Sequence, residues 1–221
     1  IAISVYLFYN KIKHKNQELK ESNVAKDKLF AIVAHDLRGP TWNLTTFLEH
    51  LNETFNDHSP DDLKKIIESL HKSADDVSAL LENLLIWARS QLNKIEYVPH
   101  ELILSTVICD SVKGLIQTAE SKEQEIVLEL DDQLSVFADS NMIQTIVRNL
   151  LSNALKFTHR GGRVVIKTEK SGSNVARISI ADNGIGIEKS ALSQIFEVSN
   201  SFHQPGTENE KSTGLGLILV K

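Results

Sequence analysis

The chain has 221 residues, room for one large domain or two small ones with at least one full hydrophobic core. Hydrophobic residues make up 41% and charged residues 24%, which excludes a disordered or collagen-like polymer. A net charge of −5 (24 Lys and Arg against 29 Asp and Glu) argues against a nucleic-acid binder, and the lone Cys109 excludes an internal disulfide and a cysteine zinc site.

Ile1 to Tyr9 is almost wholly apolar, and Lys11, Lys13 and Lys15 follow at once. Nine residues fall far short of the roughly 20 that span a bilayer as a helix. The run therefore reads either as the exit end of a transmembrane helix, with a positive cytoplasmic flank, or as an ordinary apolar helix start. The abrupt onset of charge favours the membrane reading, with an anchor upstream and the rest on the cytoplasmic side. The chain opens on Ile1 and stops at Lys221 inside the apolar run Leu215 to Val220, so it reads as a fragment.

Residues 10–28 suit a linker helix that continues to about Asn52, with no Gly or Pro before Gly39 and Pro40. Ser59, Pro60 and Asp61 begin a second helix, Pro at its first turn and acid beside the positive dipole end. Along it Leu63, Ile67, Leu70, Ala74, Val77, Leu81, Leu84 and Ala88 alternate steps of four and three, a coiled-coil period. Two helices cannot enclose a core between them, whereas two hairpins make a four-helix bundle. An antiparallel hairpin over residues 29–93 that dimerises into such a bundle is expected.

After Pro99 the pattern changes. Residues 126–130, 163–168 and 175–180 look like strands, and residues 105–121 and 140–157 look like helices. Residues 96–221 read as an α/β sandwich with a mixed sheet, following the all-helical first half.

On the wheel of the first helix, Leu29, Val33, Leu37, Leu44, Leu48 and Leu51 share an arc roughly 100° wide. His35 falls nearly opposite and should face solvent. A lone helical His is most often a plain surface residue. Here Asp36 stands beside it and Pro40 follows one turn later, and an exposed imidazole beside a carboxylate can act as a nucleophile. On residues 140–157, Asn149, Asn153 and Lys156 form one narrow polar stripe at i, i+4 and i+7. It is either a solvated face or a holder of hydrated Mg²⁺ and phosphate, since amide oxygens suit Mg²⁺ and Lys supplies a point charge.

Two glycine pairs lie downstream. Asp182 leads into Gly184 and Gly186 at a strand end, where a buried carboxylate could accept from an amine such as that of adenine. Ser212 and Thr213 lead into Gly214, Leu215 and Gly216, opening an apolar helical run whose free N–H groups suit phosphate. Between them, Phe196 to Lys211 is polar and aperiodic, as disorder or a nucleotide lid would be. No P-loop is present.

In this order the motifs resemble the sensor histidine kinases. Phe30, His35, Asp36, Leu37, Arg38, Gly39 and Pro40 resemble the phosphoacceptor box. The N box is matched by Asn149, Asn153, Ala154, Leu155, Lys156, Phe157 and Thr158. Asp182, Asn183, Gly184, Ile185 and Gly186 resemble the first glycine box, Ile195 and Phe196 the F box, and Thr213 to Leu217 the second glycine box. The resemblance covers about residues 20–221. It implies a homodimer whose phosphotransfer hairpin precedes a Bergerat-type ATP-binding domain, related to the ATPases of gyrase and mismatch-repair proteins. It implies ATP and Mg²⁺ as cofactors and a response-regulator receiver domain as partner. His35 would take the γ-phosphoryl group with Asp36 as its base. Asn153 would be the main Mg²⁺ ligand, helped by Asn149. Lys156 would contact phosphates and Phe157 would pack near the nucleotide. Asp182 would read adenine, while Gly184, Gly186, Thr213, Gly214, Leu215 and Gly216 would line the nucleotide. Asn149 stands where related ATPases carry a Glu that activates water, which fits transfer to His and not hydrolysis.

Three departures are visible. Gly39 replaces the Thr or Asn that positions a hydrolytic water in many members, which speaks against phosphatase activity. Ser212 replaces a usual Gly. The last strands of the sandwich are missing, so its C-terminal end reads as truncated. A kinase-like scaffold that transfers nothing and a plain ATPase of the same fold are the rival readings.

Overall fold

The structure is a computed structural model. It describes the chain apart from residues 1, 56, 57, 93, 173, 174, 193, 194, 197–203, 209, 211–215 and 221, and apart from the side chains of 2–5, 7, 18, 19, 21, 22, 25, 28, 29, 32, 35 and 91. The chain divides into two compact units, Ile1–Glu82 and Asn83–Lys221.

Helix α1 runs unbroken from Ala2–Thr54 with Pro40 inside it, and α2 spans Pro60–Gln91. The start of α2 is chemically explicit. Ser59 Oγ accepts from Asp62 N at 3.2 Å, and donates to Asp62 Oδ2 at 2.6 Å. Pro60 takes the first helical position, where the missing N–H costs nothing. Ahead of it, the Thr54 hydroxyl meets His58 Nε2 at 2.8 Å, and the His50 and His58 rings contact edge to face.

The period of three and four on α2 is present, but its deepest burial lies one residue earlier than the sequence pattern suggests. Ser73, Leu80 and Trp87 are buried, and Ile66, Leu70, Val77 and Leu84 are half-buried on the same line. Ile67 is 58% exposed and Leu81 43% exposed, and Ala74 between them is also open. A single chain thus covers one apolar line of α2 and leaves a second uncovered. On α1, Val33 is buried whereas Leu48 is 53% exposed. The side chain of Leu29 lies outside the described residues. No helix among the described residues is long and apolar enough to cross a membrane, and Tyr6, Phe8 and Tyr9 are exposed.

The second unit holds β1 (His100–Ile103), α3 (Leu104–Lys113), α4 (Ile116–Ser121), β2 (Glu125–Glu129), β3 (Ser135–Ala138), α5 (Ser140–Phe157), β4 (Arg163–Lys170), β5 (Ala176–Asp182) and the short α6 (Gly216–Val220). The expected sheet is mixed: β2 pairs parallel with β4, and β4 antiparallel with β5. The antiparallel pair β1 and β3 forms a second sheet that the sequence did not announce, because each strand has only four residues. The expected single helix over 105–121 is two helices. Gly114 ends α3, and Leu115 turns inward against the core.

Strand β4 alternates as a half-buried strand must: Val164, Ile166 and Thr168 face inward, while Arg163 and Lys167 are exposed. Val147, Leu151, Ala154 and Leu155 of α5 join Val107, Ile108 and Val112 of α3 in the same apolar core. Truncating Leu151 or Ile166 to Ala would cost about 2–5 kcal/mol, a large share of the roughly 5–15 kcal/mol a domain possesses.

Asp139 fixes where α5 begins. Its Oδ1 accepts from Asn141 N at 2.9 Å and Met142 N at 3.1 Å, and its Oδ2 accepts from Val98 N at 3.0 Å. One carboxylate therefore caps the helix and ties down the segment entering β1. The Val98 bond, then the Met142 bond, hold its pKa below the usual carboxylate value against the opposing effect of burial. A carboxyl with a depressed folded pKa stabilises above its unfolded pKa and loses that contribution as pH falls through the folded value. We expect Asp139→Asn to lower the melting temperature at pH 7, and the gap from wild type to shrink as pH is taken below about 4, both read by thermal unfolding across a pH series.

Candidate functional site

The polar stripe of α5 forms as a helix of this sequence requires. Asn149, Asn153 and Lys156 are all half-buried, and the opposite face supplies the core. Asn149 Nδ2 donates to Thr145 O at 2.8 Å. That bond fixes the amide, because only its nitrogen can donate to a carbonyl, and turns Oδ1 away from the helix backbone. It points at the start of α6: a Cβ on Gly216 would lie 2.8 Å from Asn149 Oδ1 and 3.8 Å from Asn153 Nδ2. A side chain at 216 would crowd the Asn pair. Among the described residues no group of three or more His, Cys, Asp or Glu is placed to hold a metal ion. A cation here would take amide oxygen, water and ligand oxygen, the donor set Mg²⁺ accepts.

Lys156 meets a different segment. Its Nζ lies 5.4 Å from the centre of the Phe157 ring. A Cβ on Gly206 would lie 2.7 Å from Lys156 Cγ. Residues 204–208 and 210, within the stretch read from sequence as aperiodic, are therefore seated against the end of α5.

Asp182 ends β5 and is exposed, not buried as expected, because it lies at the very end of a strand on the edge of its sheet. Its Oδ1 accepts from Gly184 N at 3.0 Å, an Asx turn that carries the chain past the end of α5. Ile185 N then donates to Phe157 O at 3.0 Å. Gly184 passes so close that a Cβ would lie 2.2 Å from that same oxygen, and Gly186 adopts φ 68°, where only glycine is unstrained. The first glycine box is thus a device for laying backbone against the α5 terminus.

The structure brings Asn149, Asn153 and Gly216 together, and Phe157, Asp182 and Gly184 together. Asp36 is half-buried on α1 with Gly39 and Pro40 close behind it. The outward direction expected for the His35 side chain falls outside the described residues, as do Thr213, Gly214 and Leu215.

Sequence reading missed Lys122 and Gln124. Lys122 is 4% exposed, and its Nζ donates to Leu155 O at 3.0 Å, Lys156 O at 3.3 Å, Thr207 Oγ1 at 2.9 Å and Glu210 Oε1 at 2.8 Å. Gln124 Nε2 donates to Leu155 O at 2.9 Å and Thr158 O at 2.7 Å. Glu123 between them has φ 54°, a left-handed conformation that costs a non-glycine residue about 1–2 kcal/mol. Burial raises the pKa of Glu210, but the bond from Lys122 and backbone N–H bonds outweigh it and leave the carboxyl below its ordinary value.

Residues 25–93 match the His Kinase A (phospho-acceptor) domain, and residues 138–221 match the Histidine kinase-, DNA gyrase B-, and HSP90-like ATPase family. Drug sensory protein A of Synechocystis is 29% identical over 91% of this chain and 32% of its own length. The chain spans 26–34% of the length of this and the next curated relatives it matches. Among solved structures, the Acinetobacter baumannii histidine kinase AdeS superposes with a TM-score of 0.63 at 21% identity, over 84% of this chain and 83% of that one. Histidine kinase ThkA in complex with the response regulator TrrA superposes at 0.57 and 22% identity, over 81% and 54%.

A side chain at 184 tests the close approach. Gly184→Ala should cost about 1–3 kcal/mol, since it collides with backbone, whereas Gly114→Ala, with open space and an ordinary helical φ of −69°, should be neutral or slightly stabilising. Urea denaturation of both variants reads the difference.

Proposed function

Since the chain belongs to the sensor histidine kinases, we propose that it is an ATP-dependent protein histidine kinase core that phosphorylates His35 and passes the phosphoryl group to an Asp of a response regulator. The proposed parts are a linker helix over 10–28, a phosphotransfer hairpin over 29–93 and an ATP-binding domain over 96–221. The observation that carries the reading is the close approach of Gly216 to the oriented Asn149 amide oxygen, where any side chain at 216 would collide with it.

Bound ATP would supply the γ-phosphoryl group, and Mg²⁺ would screen the charge of its phosphates. The residues fit that cargo. Asn149 Oδ1 is pre-aimed by the bond to Thr145 O, and Asn153 stands one turn further on, so both can offer amide oxygen to the cation. Lys156 would add positive charge toward the phosphates, Phe157 would pack on the nucleotide, and Asp182 Oδ2 would accept from the adenine amine while Oδ1 holds the turn. Gly184, Gly186, Thr213, Gly214, Leu215 and Gly216 would let backbone approach. His35 would attack the γ-phosphorus through a ring nitrogen, forming an N–P bond as the P–O bond to ADP breaks. Asp36 would take the proton from the ring's other nitrogen. Asn149 cannot accept a proton from water as a carboxylate would, which favours transfer over hydrolysis. Gly39 offers no side chain to position a hydrolytic water on phosphohistidine, so we expect little phosphatase activity.

The uncovered line of α2, Ile67, Ala74 and Leu81, fits a second copy of the hairpin in a four-helix bundle. The aromatic residues Tyr6, Phe8 and Tyr9, followed by Lys11, Lys13 and Lys15, fit attachment at the cytoplasmic face of a membrane.

Incubation with radiolabelled ATP and Mg²⁺ should give acid-labile, base-stable label on the protein, and His35→Gln should remove it. Label that survives the substitution overturns the assignment. Leu81→Glu should convert a dimer to a monomer in sedimentation while the thermal unfolding of residues 96–221 is unchanged.

A further inference from the structure

A buried ammonium lies at the carbonyl end of α5, and the reading just given assigns it no part. Lys122 has three N–H protons and four oxygens within 3.3 Å. Two of those oxygens, Leu155 O and Lys156 O, are last-turn carbonyls that the helix itself cannot satisfy, and they form the negative end of its dipole. The other two belong to Thr207 and Glu210. Thr207 N also donates to Lys156 O at 3.1 Å, Gly206 N donates to Glu210 O at 2.9 Å, and Glu208 N donates to Glu210 Oε2 at 2.8 Å. Arg160 adds outer fastenings, to Glu123 at 2.9 Å and Glu208 at 3.2 Å.

This arrangement does more than fill space. Carbonyls alone could have been met by water or a neutral side chain such as Gln124. The charge is matched to the carboxylate of Glu210, which comes from 88 positions away. The left-handed Glu123 stands between Lys122 and Gln124, whose side chains both bond the end of α5. The seated segment presses Gly206 on the stem of Lys156, and Glu210 shortly precedes the chain that enters α6 at Gly216.

We infer that Lys122 and Glu210 are positioning residues for the nucleotide: their ion pair fastens residues 204–208 and 210 to the end of α5, and so sets Lys156 for a triphosphate. Neither residue touches the reacting atoms. Their loss therefore weakens capture of the nucleotide more than the transfer that follows. This inference rests on the ATP-binding reading.

The test uses the full chain, with Lys122→Met, Glu210→Gln and, as a core control of comparable thermal stability, Ile166→Val. Calorimetry with ATP and Mg²⁺ should show Kd raised roughly tenfold or more in Lys122→Met and raised less in Glu210→Gln, which keeps the side-chain shape. Labelling of His35 at saturating ATP should stay near wild type while the half-saturating ATP concentration rises. Hydrogen exchange, without nucleotide, should accelerate at the amides of Thr207 and Glu208 in both variants. Folded variants that bind ATP as tightly as wild type overturn the latch, as does an equal loss of affinity in Ile166→Val. A wild-type chain that binds no ATP overturns the nucleotide reading itself and the latch with it.

Discussion

The carbonyl end of α5 is the constraint around which the second unit is organised. A helix leaves its last carbonyls without backbone partners, and burying them unmet is expensive. Here the first is met by the helix's own cap residue and the other three by distant parts of the chain. Thr158 N bonds Ala154 O, Lys122 and Gln124 bond Leu155 O, Lys122 and Thr207 bond Lys156 O, and Ile185 N bonds Phe157 O. One helix terminus thus gathers the turn before β2, the glycine turn after β5 and the segment that leads toward α6. The same helix begins on Asp139, which draws in the segment ahead of β1.

That organisation explains why the polar stripe sits where it does. The inward face of α5 is spent on the core with α3 and β4. Along its remaining face the half-buried Asn149 and Asn153 lie against Gly216 and the half-buried Lys156 against Gly206, both sequence-distant glycines. Gly184 and Gly216 are positions where the absence of a side chain has a measurable reason, contact with Phe157 O and with Asn149 Oδ1 respectively.

Much of this was legible beforehand. The helix over 140–157 coincides with α5, because its apolar period is long and Asp139 is a strong start. The mixed sheet followed from β-branched runs separated by turns. Other features were not legible, each for a physical reason. Strands β1 and β3 are too short to show a period, and the break at Gly114 looks like a tolerated helical glycine until Leu115 is seen to face the core. On α2, the apolar pattern marks both a line covered by the chain itself and a line left open, and sequence alone cannot separate two lines one residue apart. Lys122 reads as a surface lysine because its four acceptors come from residues 155 to 210, far along the chain. Asp182 was expected in a buried setting, yet its position at the end of an edge strand leaves it open.

Helix α1 carries a consequence of its own. Pro40 has no N–H and so cannot donate the backbone bond that a regular helical residue gives four positions back. One residue later the Thr41 hydroxyl bonds Leu37 O at 2.6 Å and reaches Arg38 O at 3.2 Å, competing with the backbone there. The ladder of backbone bonds is therefore thinned around residues 36–41, although α1 continues as one helix to Thr54. A bend imposed on α1 would be taken up first beside Pro40, where a missing N–H leaves the helix its weakest run of backbone bonds.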